Sequence, residues 1–333
     1  MARIALWRRL LVSPLDFFRI MVMTQRRALA AVLLLALGVI ALGSCVRLSN
    51  AGLGCPDWPG CYGRLVVPGE LRATGGEAHT RAWIEMVHRY AAGFLGLCIV
   101  ALAVSAFQRR SGRRFAAPLV LLLILQALLG MWTVTLRLQP AIVMGHLLGG
   151  LALLSLLWLW RLARDPALPH PTLRPFALIA VTAVGLQIAL GGWTSANYAA
   201  IACPDFPTCQ GAWWPEADFG EAFSLPAPIA ASWEGGGHSG VGRTAIHLAH
   251  RLGALLAVCA AGIFAAGLVC AGGRLRRVGM VMGAALALQF SLGVGNVLLG
   301  VPLAVAVAHT AGAALLLLAV LWGAHSVLVH KPH

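Results

Sequence analysis

Residues 28–46 read ALAAVLLLALGVIALGSCV, nineteen positions without a charge, flanked by Arg26-Arg27 on one side and Arg47 on the other. A helix of about 20 apolar residues crosses the hydrocarbon of a bilayer, and this stretch has that length and composition. Seven more follow at 83–107, 115–136, 141–162, 176–194, 244–270, 278–299 and 302–329, so the eight occupy about half of the 333 residues. The chain is 59% hydrophobic and 11% charged, with a mean hydropathy of +0.83, whereas an ordinary soluble domain is about a quarter charged. A water-soluble enzyme is excluded, and no room is left for a large soluble domain. The expected fold is all-α, a polytopic membrane protein of eight transmembrane helices.

The net charge of +14 would suggest nucleic acid in a soluble protein, but sorting the bases by loop explains it. The side that holds the N-terminus carries 17 Lys and Arg against two acids, Asp16 and Asp165; the opposite side carries six bases and eight acids. The positive-inside rule then puts both termini in the cytoplasm of a multi-pass protein of the inner (plasma) membrane. No nucleic acid is needed as a partner. Seven of the eleven Trp (58, 83, 132, 193, 213, 214 and 233) fall at or beyond the outer span ends, as an interfacial aromatic belt would have them. Residues 1–26 read as a cytoplasmic extension, an interfacial helix, or a segment upstream of a start at Met21 or Met23 instead of Met1.

The two halves repeat. CPDWPGCYG (55–63) matches CPDFPTCQG (203–211) at an offset of 148, His88-Arg89 matches His250-Arg251 at 162, and QALLG (126–130) matches QFSLG (289–293) at 163. The change of offset places an insertion of about fourteen residues between Gly211 and Thr244. Residues 27–165 and 166–333 are therefore read as two four-helix units of the same orientation, a parallel repeat.

His88, His146, His250 and His309 fall on spans two, four, six and eight, each four to seven residues after its span begins. At 1.5 Å per residue all four lie within about 10 Å of the outer surface. One histidine in an apolar helix is ordinarily a hydrogen-bonded packing residue, but four at one depth, paired by duplication, point to function. Two imidazoles from neighbouring helices can hold one heme iron axially, which gives two sites, His88/His146 and His250/His309; zinc would want three or four ligands. Glycines at 93, 96, 145, 149, 150, 253 and 312 would let a flat macrocycle approach, or simply let helices pack closely. Arg89 and Arg251 would pair with propionates or snorkel to headgroups. His79, His170, His238, His325, His330 and His333 receive no role.

One position breaks the symmetry. Glu85 stands one helical turn before His88, and its counterpart is His247. The carboxylate either pairs with Arg89 four residues on or serves as a proton acceptor beside a substrate. The asymmetry suggests that the first half does chemistry and the second supports it. Cys55/Cys61 and Cys203/Cys209, both C-x5-C in outward-facing loops, read as structural disulfides or as redox-active pairs. Cys45, Cys98, Cys259 and Cys270 read as packing residues in helices.

In this order on eight spans, RLSNAGLGCPDWPGCYG (47–63), EMVHR (85–89), GHLLGG (145–150), HLAHR (247–251) and AHTAG (308–312) resemble heme A synthase, over about 27–329. No single motif is specific; their order and the duplication are. The resemblance implies an integral membrane oxidoreductase that oxidises the C8 methyl of heme O to a formyl group by successive hydroxylations, giving heme A for cytochrome oxidase. Carried over by position, His250 and His309 would be axial ligands of a heme b, with His247 and Arg251 adjacent. His88, His146 and Arg89 would border the substrate heme, and Glu85 would be the catalytic carboxylate. The match of His250-Arg251 to His88-Arg89 favours His250 over His247 as a ligand. The paired loop cysteines resemble those of bacterial members with two such pairs. Implied partners are heme O, a heme O synthase, cytochrome oxidase assembly factors, the lipid bilayer and an unidentified electron acceptor, a quinone being one candidate. The residues alone also allow a di-heme b-type electron carrier, which would give Glu85 no work, or a thiol/quinone oxidoreductase centred on the cysteines.

Overall fold

The computed structural model describes residues 14–73, 76–166, 168–224 and 232–328; residues 1–13 of the N-terminal extension and the tail from 329, with Lys331, lie outside the described residues. Eight long helices follow one another: α1 Pro14–Leu48, α2 Glu77–Gln108, α3 Arg113–Thr135, α4 Pro140–Leu162, α5 Arg174–Ala196, α6 Gly240–Cys270, α7 Gly273–Leu298 and α8 Leu303–Leu328. All eight are long and apolar enough to cross a membrane. Several begin before the apolar run does, because polar residues start them. Pro140 opens α4, where its fixed φ and missing N–H cost nothing; Ser239 Oγ caps α6 by accepting from the Gly242 amide at 3.2 Å. Arg81 pairs with Glu77 at 2.6 Å in the first turn of α2.

Residues 14–26 are helical and continuous with the first span, since nothing between Pro14 and Leu48 breaks a helix and Arg is a good helix former.

The packing follows chain order. In the first half α1 packs on α2, α2 on α3, α3 on α4 and α4 back on α1; in the second, α5, α6, α7 and α8 close a second ring in the same way. The rings meet through α1, α4, α5 and α8. Ser44 Oγ on α1 donates to Thr310 Oγ1 on α8 at 3.0 Å, Trp158 Nε1 on α4 donates to the Leu318 carbonyl on α8 at 2.8 Å, and Arg47 donates to the Ser195 carbonyl while lying over the Tyr198 ring. Trp160, Phe264, Ile99, Leu154 and Met282 fill the interior, yet Leu34, Leu97, Leu121 and Leu256 remain about 70% exposed or more. Apolar side chains directed both inward and outward are what a lipid surround requires, and the protein is a multi-pass membrane protein.

Backbone irregularities recur with the sequence repeats. Left-handed residues stand at Asn50 and Tyr198, Tyr62 and Gln210, Gly63 and Gly211, and again at Leu138 and Val301. Trp58, Trp213 and Trp214 are exposed as an aromatic belt would be, but Trp193 is buried, its Nε1 donating to the Ala222 carbonyl at 2.9 Å. Cys259 and Cys270 are exposed while Cys45 and Cys98 are half-buried, so packing accounts for two of the four helix cysteines only.

Candidate functional site

The histidines sit on α2, α4, α6 and α8 and face inward. The His88 and His146 rings lie 6.5 Å apart, centroid to centroid, with their planes 86° apart. Each of the four rings rests on a glycine of the preceding helix: His88 on Gly43, His146 on Gly130, His250 on Gly191, His309 on Gly293. A Cβ at those glycines would lie 2.9 Å from Cε1 of His88 and 3.1 Å from Cε1 of each of the others, so only glycine seats the ring without displacing it. The glycines singled out in the sequence serve otherwise. Gly93 is open, and Gly149, Gly253 and Gly312 are covered by the side chains of Gln126, Gln187 and Gln289. The last three therefore offer no bare backbone to a macrocycle.

Gln126 and Gln289 were legible only as a repeat match, and Gln187 was missed. Gln126 Nε2 donates to the His146 carbonyl at 2.8 Å. Gln187 Nε2 donates to the His250 carbonyl at 3.0 Å and stands 3.0 Å from its Nδ1. Gln289 Nε2 stands 3.4 Å from His309 Nε2. The signal was the recurrence Gln-x-x-x-Gly at 126, 187 and 289, each ending on a ring-seating glycine.

Glu85 is buried, 4% exposed. Its Oε1 pairs with Arg89 Nη2 at 2.5 Å and its Oε2 accepts from the Cys55 amide at 2.8 Å. Arg89 Nη1 donates to the carbonyls of Asp57 at 2.9 Å, Pro59 at 3.3 Å and Gly60 at 2.5 Å. Arg251 does the same in the second half, reaching Asp205 and Thr208 at 2.7 Å each, Pro207 at 3.5 Å, and also Cys203 at 3.1 Å. Both guanidiniums are thus bound to the disulfide loops. His247, at the Glu85 position, is buried and its Nδ1–H donates to the Ala199 carbonyl at 3.0 Å.

Cys55–Cys61 and Cys203–Cys209 are disulfide-bonded within their loops. Asp57 braces the first loop by accepting from the Tyr62 and Gly63 amides at 2.6 and 2.7 Å. Asp205 braces the second through the Thr208 hydroxyl and the Gln210 and Gly211 amides. The Thr208 hydroxyl, then the Gly211 amide, hold the Asp205 carboxyl below its ordinary pKa; for Asp57, slight burial raises the pKa but is outweighed by the Gly63 and Tyr62 amides.

The structure brings together His88 and His146, and Glu85 and Arg89. Among the described residues no group of three or more His, Cys, Asp or Glu is placed to hold a metal ion. His238 packs its edge on Trp193 at 6.0 Å, a packing role.

Residues 26–321 match the COX15-CtaA family, described as cytochrome oxidase assembly protein. A heme A synthase of Shewanella oneidensis is 40% identical over 302 residues, covering 86% of this chain and 91% of that protein. One of Rhizorhabdus wittichii is 27% identical over 343 residues, covering 90% and 92%, and one of Halalkalibacterium halodurans is 28% identical over 190 residues, covering 53% and 61%. Matched by the family over nearly all of its eight helices, the chain belongs to the COX15-CtaA family of heme A synthases.

Proposed function

We propose that this protein oxidises the C8 methyl of heme O to a formyl group, producing heme A, with 27–165 as the catalytic half and 166–333 as the supporting half. The observation that carries this reading is the facing pair His88/His146 one helical turn from a buried Glu85–Arg89 couple. The rings face each other at 6.5 Å, and Nδ1 of each ring is buried without a hydrogen-bond partner. These residues fit a substrate heme. His250 and His309, on their glycine seats, fit a resident heme b in the same manner, and His309 Nδ1 is likewise unpartnered. Bound there, heme b supplies one-electron chemistry. His247 Nδ1 is committed to Ala199, which supports His250 as the ligand and leaves His247 adjacent.

Glu85, held by Arg89 and the Cys55 amide, stands ready to take a proton from the hydroxylating oxygen or to stabilise positive charge developing at the methyl carbon; both need the ionised form. Arg89 keeps that carboxylate oriented. The 17-to-6 distribution of bases supports both termini in the cytoplasm of the inner (plasma) membrane and the disulfide loops outside. Heme O would arrive from a heme O synthase, heme A would leave to cytochrome oxidase assembly factors, and the electrons would pass to an acceptor such as a quinone.

Mass analysis of hemes extracted after expression with and without a heme O supply tests the reading. Heme A appearing only when heme O is supplied is the expected result. Two b hemes retained and no heme A would instead establish an electron carrier.

A further inference from the structure

The end of the bundle that holds the N-terminus departs from the duplication at one corner. The last turn of α4 and the residues after it carry Trp160, Arg161, Arg164 and Asp165, whereas the matching positions 163 residues on, in α8, are Gly323, Ala324, Val327 and Leu328. The start of α3 keeps its bases: Arg113 and Arg114 correspond to Arg276 and Arg277. In the first half these two segments border a cavity of about 380 Å³ whose lining includes Ser111, Gly112, Arg113, Arg114, Trp160 and Arg164. Trp160 stacks on Phe115, with ring centroids 6.1 Å and planes 9° apart, so one wall is aromatic. Gly112 lets the turn before α3 close on that wall, since its φ is +84° and an added Cβ would lie 2.6 Å from Trp160 Nε1.

The charges around this cavity do not balance. Arg164 Nη2 donates to Gln25 Oε1 and to the Ser111 hydroxyl at 3.3 Å, neither of which is charged. Its Nη1 is buried without a hydrogen-bond partner, as is Nε of Arg26. Asp165 is shared, 3.6 Å from Arg26 and 3.4 Å from Arg161, and among the described residues it is the carboxylate of every ion pair at this end. Arg113 Nη2 donates to the Phe107 carbonyl at 2.9 Å, and Arg114 lies 5.0 Å over the Phe115 ring. Burial, then the charges of Arg26 and Arg161, lower the Arg164 pKa, the direction expected where cations crowd without enough anions. A buried cationic donor left without an acceptor is costly, and a bound anion relieves that cost.

We propose that this cavity binds the phosphate of an anionic phospholipid in the leaflet on the N-terminal side. Three guanidiniums and a hydroxyl line it, and the planar guanidinium fork matches phosphate oxygens. Depth selects the source of the phosphate. The cavity lies at the ends of two spans, where headgroups lie, and the stacked Phe115 and Trp160 offer an apolar wall to the glycerol and first acyl carbons. Basic pockets between transmembrane helices at this depth recognise anionic headgroups. The matching corner of the second half, with Val327 for Arg164 and Gly323 for Trp160, lacks both the third guanidinium and the aromatic wall.

The test uses the full-length protein purified in detergent and stripped of lipid, with bound lipid counted by native mass spectrometry. The probes are phosphatidylglycerol, phosphatidylcholine and inorganic phosphate. Phosphatidylglycerol should bind and raise the Tm, as a ligand of the folded state does; phosphatidylcholine, with no net charge, should not. Millimolar inorganic phosphate should fail to displace the lipid. Each arginine removed should weaken binding about 5-fold, so Arg164→Gln should cost about that and Arg113→Gln with Arg114→Gln about 25-fold. Arg276→Gln with Arg277→Gln removes the same charge from the matching turn and should leave the affinity unchanged. Equal loss in the two double variants would reduce the effect to general surface charge and overturn the site. Equal binding of phosphatidylcholine would overturn the recognition of net charge, and displacement by inorganic phosphate would overturn the lipid source and assign the cavity to a soluble phosphate. If Arg164→Gln fails to accumulate, the two double variants at exposed arginines decide alone.

Discussion

Arg89 and Arg251 stand at matching places in the two halves and hold matching loops, yet they differ in one bond. Arg89 reaches the carbonyls of residues 57, 59 and 60, and Arg251 those of 205, 207 and 208, the same positions 148 residues later. Arg251 Nη2, besides the Asp205 carbonyl, bonds the Cys203 carbonyl, whereas Arg89 Nη2 bonds Glu85. The first half has therefore given up one loop contact to hold a carboxylate.

The carboxylate is the first thing to test. Glu85→Gln keeps the acceptor for the Cys55 amide and removes the charge. Loss of general acid–base catalysis is worth about 10²- to 10⁴-fold, so extracted pigment should show heme O or a hydroxylated intermediate with little heme A, while the heme b spectrum stays intact. Near-normal heme A, matched by Arg89→Gln, would show that Glu85 only pairs with Arg89.

Arg251→Met should loosen the second disulfide loop without touching chemistry. Hydrogen bonds to a charged group are worth about 1.5–3 kcal/mol each when buried, less at this half-exposed site, so a clear drop in Tm and faster proteolysis after Cys203 are expected. Arg251→Lys should fall between, because a single ammonium cannot span the carbonyls a planar guanidinium does.

Gly191→Ala and Gly293→Ala push a Cβ towards His250 and His309. Each should weaken heme b binding and alter its spectrum. Gly283→Ala, at a helical site with nothing within 4 Å of the new Cβ, should be neutral or stabilise by up to about 1 kcal/mol. Equal effects at all three positions would contradict the seating role.

Acid should release the loops before it unfolds the bundle. The Asp205 and Asp57 carboxyls lie below their ordinary pKa in the folded protein, so their support is complete above the unfolded carboxylate value of about 4 and is lost as pH falls through the depressed values. Amide exchange at Gln210 and Gly211 should be flat from neutral pH to about 5, once the intrinsic pH dependence is removed, and rise below 4. Asp205→Asn should abolish that dependence.

Topology is checked by impermeant thiol labelling of intact cells after reduction, which should reach Cys55 and Cys203. Labelling only after lysis would invert the orientation and carry the four histidines to the inner side.

Eight spans, the duplication and the paired loop cysteines were legible in the sequence because each is a local property: a run of apolar residues, a spacing, a recurrent nonapeptide. The four histidines were legible because ionisable groups are rare in lipid-facing helices. What Arg89 and Arg251 bind was not legible, since a guanidinium suits a propionate, a headgroup or a loop carbonyl equally well by composition. Only the fold, which lays residues 57–60 and 205–208 over the N-terminal ends of α2 and α6, brings those carbonyls to the two guanidiniums. The seating glycines were likewise hidden. Gly43, Gly130, Gly191 and Gly293 look like ordinary small residues of packed helices until the neighbouring helix brings a ring to within about 3 Å. Periodicity within one helix fixes which residues share a face; which face meets which is settled by contacts between helices, and those depend on side-chain shapes from both partners at once.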